Sequence, residues 1–205
     1  WQDGGRRADF TLDTAKAISD IATKKPALTF ITTPNNPTGT LLKLGEIEEL
    51  AKATAQVSGL LVIDEAYAEF SEETSAVTLI EKYPHVVVIR TMSKAFAFAG
   101  VRLGYLVADE AVINAMYLVR LPYHLSALTQ AAGEVALDYQ EELLANVARL
   151  RADRNELAQE IIALGLTVVP SDANFLLFGG FTKPAAQLWK EMLERGVLIR
   201  DVGLL

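Results

Sequence analysis

Short apolar runs and longer amphipathic stretches alternate through the first half of the chain. "ALTFIT" at Ala27–Thr32 is a compact apolar run that ends in the turn-rich "TPNNPTG". The next segment, "LGEIEELAKATAQVSG", places Leu44, Ile47, Leu50, Ala51 and Thr54 at helical spacing, with Gly59 set to end the helix. "LLVI" at Leu60–Ile63 predicts a second strand and runs into "DEAYAEF". A helical stretch over about Ala76–Tyr83 stops at Pro84, and "VVVIR" from Val86 predicts a third strand. Short β-rich runs separated by helices imply right-handed βαβ units and a parallel sheet buried on both faces.

After Arg102 the pattern changes. "LGYLVA" at Leu103–Ala108 predicts a further strand, and a helix follows from about Asp109 to Arg120. "LPYHLS" interrupts the chain before "ALTQAAGEVALDYQ", a helix of small residues suited to close packing. A long charged amphipathic helix covers about Glu141–Ala163. Beyond it, "LTVV", "NFLLF", a helix at Pro184–Arg195 and "VLIR" predict a β-β-α-β set. The fold class expected is α/β, with a mainly parallel sheet flanked by helices and part of a smaller α/β domain after it. Residues 1–140 are read as a partial large domain, and 141–205 as a linking helix with a partial small domain.

Composition narrows the function classes. Hydrophobic residues make up 51% of the 205, enough for a sizeable core, and the 22% that are charged suit a soluble globular protein. A net charge of -7 with no basic stripe argues against a nucleic-acid partner. The absence of cysteine excludes disulfides and thiolate metal sites and fits a reducing, cytoplasmic setting. No apolar run approaches the roughly 18 residues that suggest a membrane span. The chain starts at Trp1 without a methionine and stops at "DVGLL" after a predicted strand, so both ends read as cut.

Three successive strand–helix units place unusual polar residues at one edge of the sheet. The first strand leads to Asn36, the second to Asp64 and the third to Lys94. Ligands of open α/β sheets bind outside the carboxyl ends of the strands, so these side chains are expected to converge. An amide, a carboxylate and a lysine together suit pyridoxal phosphate. The lysine amine condenses with its aldehyde, and the carboxylate pairs with its pyridinium nitrogen. Asn36 and Tyr67 can hydrogen-bond the ring's 3-oxygen, while Thr91, Ser93 and Arg102 supply hydroxyls and a fork-shaped cation for the phosphate.

"NNPTG", "DEAY" and "TMSKAFAFAGVRLG", each after a predicted strand and in this order, resemble the fold-type-I pyridoxal-phosphate aminotransferases of classes I and II. "TPNNPTGT", "IDEAYAEF", "SKAFAFAGVRLGY" and "RLPYHLSALTQAA" are most similar to the actinobacterial histidinol-phosphate aminotransferases within them. The resemblance implies that Lys94 is the cofactor-bonding lysine and proton shuttle. It implies Asp64 as the pyridinium partner, Tyr67 and Asn36 as 3-oxygen ligands, and Ser93, Arg102 and Thr91 around the phosphate. Arg200, in "VLIRDVG", matches an arginine that binds substrate phosphate. The implied reaction is transamination between glutamate and imidazole-acetol phosphate, giving 2-oxoglutarate and histidinol phosphate, in a homodimer. Rival readings are an aromatic or broad-specificity aminotransferase, a phospho-amino-acid decarboxylase, and a non-catalytic cofactor-binding regulator. Family members are longer. This chain lacks their N-terminal arm, first phosphate loop, ring-stacking aromatic residue and second substrate-binding arginine.

Plainer readings stand beside these. Lys94 suits a surface loop, Asp64 a helix N-cap, Asn36 a turn before Pro37, and Tyr67 a packing position. Arg102 suits an ion pair and Arg200 a solvated strand end. His124 reads as a loop or interface residue and His85 as structural. The charged helix over 141–160 reads as a solvated face with i,i+4 pairs.

Overall fold

Strand pairing follows chain order. In the computed structural model, which describes residues 4–203, β1 (Leu28–Thr32), β2 (Leu60–Asp64) and β3 (Val86–Thr91) run parallel. β4 (Gly104–Val107) pairs antiparallel with β3 and completes a sheet of order β1-β2-β3-β4. Trp1, and the last two residues of "DVGLL", lie outside the described residues.

Two helices cover one face of the sheet. α1 (Thr14–Lys24) begins where the Asp13 carboxylate accepts from the Lys16 N–H, and ends where Lys25 turns left-handed and its N–H reaches the Ile21 carbonyl. α2 (Leu44–Gln56) starts where the Glu46 carboxylate accepts from the Lys43 N–H. Ile47, Leu50 and Ala51 of α2 and Ile21 of α1 form one core with Ile31, Leu61, Ile63, Val86 and Val88. Burying each large aliphatic side chain stabilises the fold by about 1.5–3 kcal/mol, so this layer sets the sheet's position.

The middle of the chain departs from expectation in two places. β2 and β3 are buried along both faces, but β1 is an edge strand whose Leu28 and Phe30 are exposed. The stretch over 76–83 forms only a 3-10 turn at Ala76–Leu79, after another at Ala68–Phe70. Eight residues make too few hydrogen bonds to offset helix nucleation. Here the Lys82 and Tyr83 amides fold back to the Leu79 carbonyl instead.

β4 leads through α3 (Glu110–Val119) and α4 (Ala127–Asp138) to α5 (Gln140–Ala163). Gly133 lets α4 approach closely: an added Cβ would meet Leu103 Cδ2 at 2.5 Å. Val147 of α5 and Ala173 pack with Tyr67, Phe70 and Ala95 in a second core, so the linking helix is seated on the elements that follow β2 and β3. β5 (Thr167–Val169) and β6 (Leu177–Gly179) form an antiparallel pair, and α6 (Ala185–Glu194) follows. "VLIR" is not a strand. Extended apolar residues form one only with a ladder partner, and Val197–Arg200 has none among the described residues. The Trp189 indole N–H holds it instead, donating to the Ile199 carbonyl at 2.8 Å. Among the described residues, no helix is long and apolar enough to cross a membrane.

Glu48 ties α2 to the turn before β3. Its carboxylate accepts from Lys82 Nζ at 2.7 Å and the Tyr83 hydroxyl at 2.8 Å, with Lys52 3.5 Å away. The Lys82 and Tyr83 hydrogen bonds hold its pKa down from 4.5 to about 2. The folded value lies below the unfolded one, so this contribution is present above 4.5 and lost as pH falls towards 2. Urea midpoints measured across that window are expected to fall more steeply for the parent than for Glu48→Gln. Identical acid limbs would contradict the assignment.

Candidate active site

The loop after β1 is held from beneath by buried threonines. The Asn35 amide donates to Thr38 Oγ1 at 2.7 Å, the Thr38 and Thr40 hydroxyls hydrogen-bond at 2.8 Å, and Thr33 Oγ1 accepts from the Leu42 N–H at 2.9 Å. These bonds use up the loop's inner polar groups and leave Asn36 exposed. Gly39 has φ +77°, where a Cβ is strained, and an added Cβ would lie 2.2 Å from Ser171 Oγ. The Gly39 carbonyl accepts from the Asp172 N–H at 2.9 Å, so the Asn36 loop docks on the turn between β5 and β6.

At the end of β2, Asp64 Oδ1 accepts from the Ala66 N–H at 3.0 Å, an Asx turn that redirects the chain. Oδ2 accepts no protein hydrogen bond among the described residues. Three residues on, Tyr67 is buried, and its hydroxyl accepts from Asn36 Nδ2 at 2.8 Å. Its ring meets Phe175 edge-on at 5.2 Å. Past β3, residues 92–103 fold back on themselves: the Met92 N–H bonds the Leu103 carbonyl, and the Phe98 N–H bonds the Met92 carbonyl. Ala97 and Arg102 are left-handed at φ 55° and 58°, a conformation uncommon outside glycine. This loop carries Lys94, whose Nζ lies 5.4 Å from the centre of the Tyr67 ring, a cation–π contact.

Asn36, Tyr67 and Lys94 are therefore joined around one phenol, and Asp64 ends the strand that leads to it. The remaining candidates divide. Thr91 Oγ1 donates to the Leu103 carbonyl at 3.3 Å and accepts from the Ser93 N–H at 3.1 Å, so it braces the loop, while among the described residues no bond engages the Ser93 hydroxyl. Arg102 is exposed and donates to the Ala99 carbonyl at 3.1 Å. Arg200 lines a separate cavity with Phe178, Leu188 and Trp189, and no contact joins it to the Tyr67 group among the described residues. His85 hydrogen-bonds the Ala51 carbonyl at 2.9 Å, as a structural residue does.

Sequence reading passed over Glu65 and Arg90, which flank the site. Glu65 is only 3% exposed, accepts from Arg90 Nε and one terminal nitrogen at 3.1 and 2.7 Å, and also binds Ser75 Oγ and the Ala76 N–H. The available signal was the acid in "DEAY" and the arginine closing "VVVIR" of the third strand, both one step from a candidate.

Residues 5–204 match the family model described as aminotransferase class I and II. The chain belongs to this family. Histidinol-phosphate aminotransferases of Nocardia farcinica and of Mycobacterium sp. (strain JLS) are each 54% identical to it over 205 residues. Those alignments take in all of this chain but 52% and 54% of the relatives, so the chain spans about half their length. The crystal structure of histidinol-phosphate aminotransferase from Sinorhizobium meliloti in complex with pyridoxal-5'-phosphate superposes with a TM-score of 0.84 at 25% identity. That superposition covers 95% of this chain and 54% of that one. The expected α/β class with a mainly parallel sheet is the one observed.

Gly39→Ala is expected to destabilise the protein by more than about 1 kcal/mol, because it combines backbone strain with a clash at Ser171. Urea unfolding measures this. A midpoint equal to the parent's would show that the loop does not need this close approach.

Proposed function

We propose that the chain carries the cofactor and catalytic residues of a pyridoxal-phosphate-dependent histidinol-phosphate aminotransferase, active in histidine biosynthesis. The observation that supports this best is the joining of Asn36 and Lys94 around the buried Tyr67, beside the free oxygen of Asp64. The donor set fits the cofactor: an unengaged carboxylate oxygen for a protonated pyridine nitrogen, an amide–phenol pair for a phenolic oxygen, and an amine for an aldehyde. Similarity to the Nocardia and Mycobacterium enzymes supports the substrate pair, histidinol phosphate with 2-oxoglutarate.

Bound pyridoxal phosphate supplies an electron sink for the pair released at the substrate's α-carbon. Asp64 keeps the pyridine nitrogen protonated, since a carboxylate hydrogen-bonded to that N–H favours the charged ring. Asn36 and Tyr67 would act as a unit on the 3-oxygen, the Asn36 amide donating to the phenol oxygen. Lys94 would supply the amine for the cofactor's aldehyde and, when free, would carry the proton to and from the substrate's α-carbon. Ser93 and Arg102 would hold the cofactor phosphate, with Thr91 shaping their loop, and Arg200 would bind the substrate phosphate.

Dimerisation with a second copy accompanies this reading. α3 and the turn before α4 expose Leu118, Leu121 and Tyr123, with Leu118 at 87% and Tyr123 at 96%. Exposed apolar side chains gathered on one segment suit a face covered by another surface.

Borohydride reduction of the protein with pyridoxal phosphate, followed by peptide mass spectrometry, is expected to mark Lys94. Glutamate is expected to bleach the cofactor's visible absorbance, and imidazole-acetol phosphate to restore it. Lys94→Ala should abolish the label and lower turnover by about 10²–10⁴-fold or more. Asp64→Asn should keep the label and lower turnover by roughly 10²-fold or more. Label on another lysine, or parent-like turnover in Lys94→Ala, would refute the proposal.

A further inference from the structure

The faces of β2 and β3 are used differently at their ends. Successive strand residues point to opposite faces, and the parallel register pairs Asp64 with Ile89. Glu65 and Arg90 stand one step further on and meet on the opposite face, while Asp64 and Thr91 share the face of the candidate site. The Glu65 N–H donates to the Ile89 carbonyl at 2.9 Å, so the backbone ladder continues to this point.

We infer that the Glu65–Arg90 ion pair is a positioning device that clamps the ends of β2 and β3 from behind and fixes the spacing between Asp64 and the Lys94 loop. The inference rests on the cofactor reading above. Glu65 accepts four hydrogen bonds: two from the Arg90 guanidinium, one from Ser75 Oγ at 2.7 Å and one from the Ala76 N–H at 2.7 Å. It therefore joins β2, β3 and the 3-10 turn at Ala76–Leu79 through one carboxylate. Arg90 also reaches Glu69 Oε1 at 3.3 Å, on the short turn that begins just after Tyr67. Burial pushes the Glu69 carboxyl pKa up, ahead of the opposing pull of its own backbone amide and Arg90.

An apolar pair would stabilise such a position at least as well, because a buried ion pair recovers little beyond its desolvation cost. What the ion pair adds is direction. Arg90 Nε and one terminal nitrogen both donate to Glu65 Oε2 while Oε1 takes the Ala76 N–H, and this convergence of a planar guanidinium on one held oxygen fixes the relative height and rotation of the two strand ends. Lysine, a point charge on a flexible stem, supplies attraction without that constraint.

The test compares Arg90→Lys, Glu65→Gln and the paired apolar replacement Glu65→Leu with Arg90→Met. Hydrogen exchange without cofactor reads the clamp itself at two amides, Glu65 N–H to the Ile89 carbonyl and Thr33 N–H to the Asp64 carbonyl. In Arg90→Lys both are expected to exchange faster by more than the change in global stability explains. Affinity for pyridoxal phosphate is expected to fall on the order of tenfold, the loss of one well-placed charged hydrogen bond. The midpoint pH of the cofactor's visible absorbance should also shift. The apolar pair is expected to restore thermal stability but neither affinity nor midpoint, and that split marks positioning. Parent-like exchange, affinity and midpoint in Arg90→Lys would overturn the inference, as would full recovery of affinity and midpoint by the apolar pair. A parent protein that takes up no cofactor would defeat the proposed function, and the exchange comparison would still decide the clamp. Should Glu65→Gln fail to fold, Arg90→Lys carries the test.

Discussion

Parallel pairing of β1, β2 and β3 is the constraint on which the candidate site depends. Parallel strands share a direction, so every loop leaving a carboxyl end emerges at the same edge of the sheet. The register Thr32 to Asp64 and Asp64 to Ile89 sets the three ends nearly level. Residues far apart in the chain, Asn36 and Tyr67, are then within hydrogen-bond reach. The apolar layer of α1 and α2 stabilises this arrangement from one side, with Leu50 and Ala51 of α2 fully buried in one core with Leu61 and Ile63 of β2 and Val86 and Val88 of β3. Chemistry at the edge is thus supported by packing at the centre.

Tyr67 links that edge to the rest of the chain. Its hydroxyl receives Asn36, its ring face meets the Lys94 ammonium, and its ring edge meets Phe175 beyond β5. Ser171 and Asp172, on the same turn as Phe175, press on Gly39 beneath the Asn36 loop. A displacement of the β5–β6 turn is therefore felt by both groups assigned to the cofactor's 3-oxygen. The coupling is short-range and steric, since a Gly39 Cβ has no room.

Much of this was legible from residues alone. Strands ending near Thr32, Ile63 and Arg90 follow from apolar runs bounded by turn chemistry, and parallel pairing was expected to bring Asn36, Asp64 and Lys94 to one edge of the sheet. Other parts were not, for reasons of geometry. The α1 helix went unread although Ala17, Ile18 and Ile21 fall at helical spacing. "VLIR" has the composition of a strand, but pairing needs a partner that composition does not reveal. Thr91 offered a hydroxyl suited to phosphate, yet its nearest acceptor is the Leu103 carbonyl of its own loop. Glu65 was hidden by its neighbour: the residue beside a functional aspartate looked like one more surface acid until the β2–β3 register placed Arg90 opposite it.

A crystal structure of the protein with pyridoxal phosphate bound tests the central claim most directly. The account predicts one ring at the β1–β3 edge, covalently attached to Lys94, with its nitrogen against Asp64 and its 3-oxygen against Asn36 and Tyr67. A ring bound elsewhere, or one at this edge that leaves Asp64 or Lys94 out of contact, would contradict it.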